Sequence, residues 1–268
     1  MNKIGAELPL EPVAPNYKGE VATRYRYLDG TGEIGVIAKR AQLHFFKLAI
    51  DDLPNEGRQY QAIIKNKILT GDWAFVYDLV EWFANWGEGS DNWLQGNRGY
   101  DNAIEFRTAV NEILTKEHSA YRFVGKFLSE IHSESEVQEV NLIIGESEKF
   151  SPVSKHIQSA VALMSNRENP DFRNSIKESI SAVEAVAKII SGNPKTTLNG
   201  ALKVLEKSGI VHGSLKVGFS KLYGWTSDAQ GIRHALMDES KISLADARYM
   251  LVACSAFANY LISNYEES

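Results

Sequence analysis

The chain has 268 residues, 44% of them hydrophobic and 24% charged, with a net charge of −5. That length suits one large or two ordinary domains of about 100–200 residues each, and the composition is that of a globular protein. The acidic balance excludes a general nucleic-acid coat, and a single cysteine, Cys254, excludes an internal disulfide or a cysteine-rich zinc site.

No apolar run approaches the roughly 18–20 residues of a membrane span, and the first residues hold no secretory apolar stretch. A cytoplasmic protein with no membrane partner is the expectation. The charge is uneven: residues 1–150 carry 16 Lys+Arg against 23 Asp+Glu, and residues 151–268 carry 13 against 11. Two units with different surfaces would give that asymmetry.

Residues 1–32 are rich in Pro and Gly and read as an extended lead-in. A helix is expected from Glu33 to Leu53, with Ile37, Ala41, Phe45 and Leu48 on one face, ending before Pro54. Gln59–Leu69 repeats the pattern. Asp72–Trp86 is dense in rings, and Phe75, Leu79, Trp82, Phe83 and Trp86 follow helical period. That stretch reads as a core helix, with an exposed platform for stacked bases as the alternative. Gly87–Tyr100 reads as a loop, and Asn102–Lys116 as a helix with Ile104, Val110, Ile113 and Leu114 inward.

The period then changes. Short apolar runs around Gly125, within Ala120–Ile131, predict a small β-hairpin. Ser133 followed by Glu136 has the spacing of a capping box and opens one more helix. Polar Gly145–Ser154, with its proline, is the best linker, so the expected domains are 1–148 and 152–268.

The second half reads as helical throughout. Lys155–Met164 leads to a turn, NRENP, and Asp171 caps a helix carrying Ile176, Ile180, Val183, Ala187 and Ile190. Gly192 stops it. Thr196 or Thr197 caps a helix with Leu198, Leu202 and Leu205 inward, and Leu215–Tyr223 forms a short one. A polar turn (Thr226, Ser227, Asp228, Gly231) follows. Ser243 with Asp246 opens a last helix, apolar on most sides and hence central. The fold class is mainly α, with a hairpin-bearing N-terminal helical domain and a C-terminal helical bundle.

The chemistry-bearing residues gather late in the chain. Arg233–His234 is the one adjacent Arg–His pair. Histidine can act as a general base near neutrality, and arginine holds a phosphate by a bidentate fork. Together they suit metal-independent RNA cleavage, His taking the 2′-OH proton and Arg stabilising the phosphorane. Neighbouring helical residues point about 100° apart, so convergence needs a turn, a helix end or a second subunit. Asn174, Lys177, Glu178, Ser181, Glu184 and Lys188 form a polar stripe that either lines a cleft or faces water, with Glu184–Lys188 an ion pair. Arg233 has Asp228 and Glu178 as alternative carboxylate partners. No cofactor motif and no metal-ligand spacing is present in the sequence.

The runs SIKESISAVEA, SDAQGIRH and MLVACSAFANYLI resemble the C-terminal region of AbiJ-like abortive-infection proteins, related to the HEPN superfamily of helical bundles. That resemblance spans roughly residues 150–265. The segment HSAYRFVGKFLSEI ahead of SESEVQEV resembles an AbiJ-type N-terminal domain. The resemblance implies a cytoplasmic bacterial antiphage protein, a HEPN-like bundle at 152–268 and a homodimer. It implies RNA as partner and a phage component or host protein as trigger. The HEPN signature is Arg, four to six residues, then His; Arg233–His234 stands where a degenerate form is expected. Catalytic residues would be Arg233 and His234, with Asn174, Lys177, Glu178 and Asp228 lining the cleft and no metal. The alternative is a non-catalytic dimerisation, RNA-binding or regulatory module.

Overall fold

The computed structural model describes residues 40–48, 57–85, 98–131, 133–228 and 242–268. Among these, helices dominate and two short strands form one hairpin, so the chain is mainly α. It divides into two compact units, residues 1–118 and 119–268.

In the first unit a single turn of π-helix, Ala41–Phe45, ends at Phe46. Lys47 adopts a left-handed φ of 55°, and the Leu48 amide reaches back to the Gln42 carbonyl at 2.9 Å. That is a Schellman-type stop made without glycine. The helix expected to run to Leu53 therefore ends early, and Leu48 is exposed instead of inward. Helices α1 (Gly57–Thr70), α2 (Trp73–Asn85) and α3 (Arg98–Lys116) follow. Asp72 caps α2 by accepting from the Phe75 amide at 2.8 Å. Arg107 on α3 donates to the Ala84 carbonyl and to Asn85 Oδ1, satisfying the orphan end of α2. Val110, Ile113 and Leu114 are buried as expected, whereas Ile104 is exposed.

The second unit opens with the predicted hairpin. Strands β1 (Arg122–Val124) and β2 (Phe127–Ser129) pair antiparallel, Val124 opposite Phe127. Gly125 turns at a positive φ of 56°, a conformation that suits glycine. Helix α4 (Glu134–Ile144) starts where Ser133 and Glu136 place it, but the box is not made. The Ser133 hydroxyl bonds Ser135 instead, at 2.9 Å. The linker-like Gly145–Ser154 holds a 3-10 turn, Glu148–Phe150, whose Phe150 ring is buried. Val153 and Ser154 of the same stretch are buried too, and the Ser154 hydroxyl donates to the Ile144 carbonyl at 2.9 Å.

Helices α5 (Ser151–Ser165), α6 (Phe172–Ser191), α7 (Leu198–Lys207), α8 (Gly213–Asp228) and α9 (Leu244–Glu266) complete the bundle. Asp171, Thr197 and Ser243 cap α6, α7 and α9, and Gly192 ends α6 at φ 66°. Helix α6 packs against α5, α7 and α9, and α9 also packs on α4 and α5. Small residues at the seam, Ala160, Ser175, Ser179, Ala182 and Ala258, are fully buried. They let the backbones approach closely. The Ser175 hydroxyl donates to the Ala160 carbonyl at 2.8 Å, and Ser179 to Ser175 at 2.9 Å, so neither buried hydroxyl is left unpaired. Val124, Ile131, Val140 and Ile143 share this core with α5, α6 and α9. Helix α8 differs from expectation: it runs through Thr226, Ser227 and Asp228, where a polar turn was predicted. Thr226 is buried and donates to the Tyr223 carbonyl at 2.7 Å, which removes its tendency to break the helix.

Candidate functional site

Helices α5 and α6 form an antiparallel pair joined by a short polar turn. Asn166 Oδ1 accepts from the amides of Glu168 and Asn169, at 3.1 and 2.9 Å, an Asx turn that reverses the chain. The Asp171 amide then bonds the Leu163 carbonyl at 2.9 Å. Asp171 also caps α6, its carboxylate accepting from the Asn174 amide and from Asn174 Nδ2.

This register places His156 of α5 opposite Glu178 of α6, with Nδ1 2.7 Å from Oε2. Both side chains are partly exposed, at 38% and 29%, so the pair sits on the rim of the helix seam rather than in the core. A carboxylate only accepts when ionised, so Nδ1 donates in this bond. Nε2 has no hydrogen-bond partner among the described residues. Asn174 and Glu178, like Lys177 and Ser181, stand four positions apart on α6, while Lys177 and Glu178 are adjacent and point about 100° apart. Lys177 is exposed and has no carboxylate within ion-pair distance among the described residues. The arrangement offers an imidazole held by a carboxylate at the rim of the α5–α6 seam.

Of the residues singled out by sequence, Asn174, Lys177 and Glu178 all lie near the start of α6. Glu178 meets His156, a partner the sequence did not suggest. Asp228 is the last residue of α8. Arg233 and His234 lie outside the described residues. The Glu184–Lys188 pair is present, at 2.7 Å. His156 stands in no metal-ligand spacing in the sequence. A signal existed nonetheless: His156 with Glu178, Ala160 with Ser175 and Leu163 with Asp171 lie almost symmetrically about Arg167–Glu168, and the turn itself was legible. Cys254 is buried in α9, and burial pushes its thiol pKa up, which makes it unreactive.

No three His, Cys, Asp or Glu side chains are gathered to hold a metal ion among the described residues. Nor is any described helix long and apolar enough to cross a membrane.

Among curated proteins, the GTP 3′,8-cyclase of Acidothermus cellulolyticus is 52% identical over 40 residues. Those residues are 15% of this chain and 11% of that protein, so the chain spans only about a tenth of that relative. No solved structure matches the chain. Residues 21–144 match the family model described as AbiJ N-terminal domain 4. Over that stretch the chain is AbiJ-like, which points to the abortive-infection, antiphage families.

Proposed function

We propose that this is a bacterial antiphage protein of the abortive-infection kind, whose second unit is a HEPN-like bundle acting on RNA as a metal-independent ribonuclease. The AbiJ-type match over residues 21–144 supports the defence role. The observation offered in support of the RNA-directed part is the partly exposed His156–Glu178 pair on the rim between α5 and α6. Arg233 and His234 act in the chemistry, and Asn174, Lys177, Glu178 and Asp228 line the cleft. The protein works in the cytoplasm as a homodimer, and a phage component or host protein releases its activity.

A second reading is favoured by a specific observation. Asn174 and Glu178 both spend their polar atoms on neighbours within the bundle, Asp171 and His156. A face whose groups satisfy one another also suits a non-catalytic module for dimerisation, RNA binding or regulation. Induced expression in a bacterial host, followed by phage challenge, separates the two. Growth arrest and protection that His234→Ala abolishes support the nuclease. Protection that survives His234→Ala and Arg233→Ala supports the module. No arrest and no protection with the wild-type chain overturns the defence reading.

A further inference from the structure

We infer that Gln42 of the first unit marks a binding site for a nucleobase carried by a small nucleotide; this goes beyond the RNA-directed reading and does not rest on it. Gln42 is fully buried, yet neither its Nε2 nor its Oε1 has a hydrogen-bond partner among the described residues. A buried amide normally finds partners, because leaving its donors and acceptor unpaired forfeits the bonds they made to water. An apolar side chain of the same length would fill the place without that cost. Packing alone therefore gives no reason for a glutamine here. A ligand that pairs with the amide gives one.

The surroundings name the kind of ligand. Gln42 stands in a single turn of π-helix, Ala41–Phe45, a form frequent at functional sites. Phe45 and Phe46 follow three and four residues later, on the same side of the turn. Phe46 stacks on Phe75 of α2, with centroids 6.0 Å apart, and Phe45 meets Phe75 and Trp82 at 5.7 and 6.1 Å. All four rings are half-buried. A primary amide presents a donor and an acceptor side by side, and a base edge such as that of adenine answers with both in one plane. The aromatic faces next to the amide suit the flat face of the same base. Lys67 of α1 is exposed and holds its ammonium 5.9 Å from the centre of the Phe46 ring, a cation beside the rings for the nucleotide's phosphate. Full enclosure of the amide suits a small nucleotide over a base within an RNA strand, whose neighbours would have to follow it in. The free protein holds the site closed, and opening it takes movement of one five-residue turn. That turn leads to Lys47 at φ 55°, a left-handed conformation that a residue other than glycine adopts at a cost.

The test is calorimetric titration of the full-length protein with adenosine, guanosine, cytidine and uridine, and with their 5′-monophosphates, alongside thermal melts. At least one base should bind, its monophosphate more tightly than its nucleoside. Gln42→Met, close to glutamine in shape, should raise the melting midpoint of the free protein, because the unpaired groups are gone. The same variant should weaken binding by about 5- to 150-fold, the loss of one bidentate pair. Phe46→Leu should weaken binding while keeping the turn apolar, and Lys67→Gln should erase the preference for the monophosphate. Binding by Gln42→Met at wild-type strength overturns the inference, as does no binding of any of these compounds. A Gln42→Met protein that melts below wild type would show the amide already satisfied in the free protein, by a buried water, and overturns it as well. A short oligoribonucleotide that binds more tightly than every mononucleotide overturns the small-nucleotide occupant and gives the site to an RNA strand.

Discussion

Helix α9 and helix α2 are both crowded with apolar residues, yet they end in different surroundings. In α9, Ala247, Met250, Leu251, Cys254, Ala258, Leu261 and Ile262 are all buried, because α4, α5 and α6 close on it from several sides. In α2, Val76, Leu79 and Val80 are buried, but Trp73 is 40% exposed and Phe75, Trp82 and Phe83 are only half-buried. Its rings pack edge to face along its own surface and onto Phe45, as in Trp73–Tyr77, Trp82–Phe83 and Phe45–Phe75. Apolar content therefore marks a helix that has something to bury. How much is buried depends on how many neighbours surround it.

The sharpest way to break this contrast is truncation at one residue in each helix. Leu251→Ala removes a fully buried side chain, leaves a cavity, and should cost about 2–5 kcal/mol. Trp73→Ala removes a larger but exposed ring and should stay within about 1 kcal/mol. Denaturant melts of the two variants measure both. Equal losses would mean that α2 is as enclosed as α9, and the comparison would collapse.

A second pair of sites sharpens it at the helix ends. Ser133–Glu136 and Ser243–Asp246 share one spacing, but only the second makes the reciprocal box, Ser243 Oγ accepting from the Asp246 amide and Asp246 from the Ser243 amide. Ser243→Ala should cost about 0.5–2 kcal/mol and Ser133→Ala a few tenths at most. A loss at Ser133 matching that at Ser243 would show a cap at α4 that the Ser133–Ser135 bond does not supply.

The same box has a pH signature. The Ser243 amide, then the Ser243 hydroxyl, hold the Asp246 carboxyl below its ordinary value, outweighing a small opposing effect of burial. A lowered folded pKa means the unfolded chain binds the proton first as pH falls. The contribution is therefore full above the unfolded value and lost as pH drops through the folded one. Wild type should lose its stability advantage over Asp246→Asn as pH falls through and below the ordinary carboxylate range. A constant difference across that window would show that the charge takes no part in the cap.

Much of the bundle was legible because periodicity and caps agree there. Asp171, Gly192, Ser243 and the aliphatic face of α6 are where local chemistry and burial point the same way. The misreadings fall where a contact made in the fold, near or far along the chain, overrides a residue's own propensity. Thr226 looks like a turn residue, but its hydroxyl bonds back to Tyr223 and the helix continues. Phe150 sits in a polar run and is pulled into the core. Packing places the hairpin and α4 in the unit that begins at Ser119, whereas the family match runs from residue 21 through to residue 144. A stretch that looks like the end of one domain is thus built into the core of the next, through Val124, Val140 and Ile143. At the candidate site, Asn174, Lys177 and Glu178 were legible as a stripe on one helix. His156 was not, because its partner lies on another helix and appears only when the turn between them is folded.

The smallest expected effect tests what the His156–Glu178 pair would be worth as a mere surface contact. Glu184 and Lys188 lie on the same helix, four residues apart, with their charged ends 2.7 Å apart. Their side chains are 27% and 29% exposed, like that of Glu178 at 29%. An ion pair of this spacing should contribute about 0.2–0.5 kcal/mol, isolated by the cycle Glu184→Ala, Lys188→Ala and the double variant. Salt should weaken it further, since at about 1 M the screening length falls to roughly 3 Å. The pair adds little because each partner is solvated whether or not it is bonded, and ordering two long side chains costs entropy. Glu178→Gln should lie in the same range when stability is the readout. A melting loss well above that of Lys188→Ala would recast His156–Glu178 as a structural clamp between α5 and α6. A loss as small as that of Lys188→Ala would mark it as an ordinary surface ion pair.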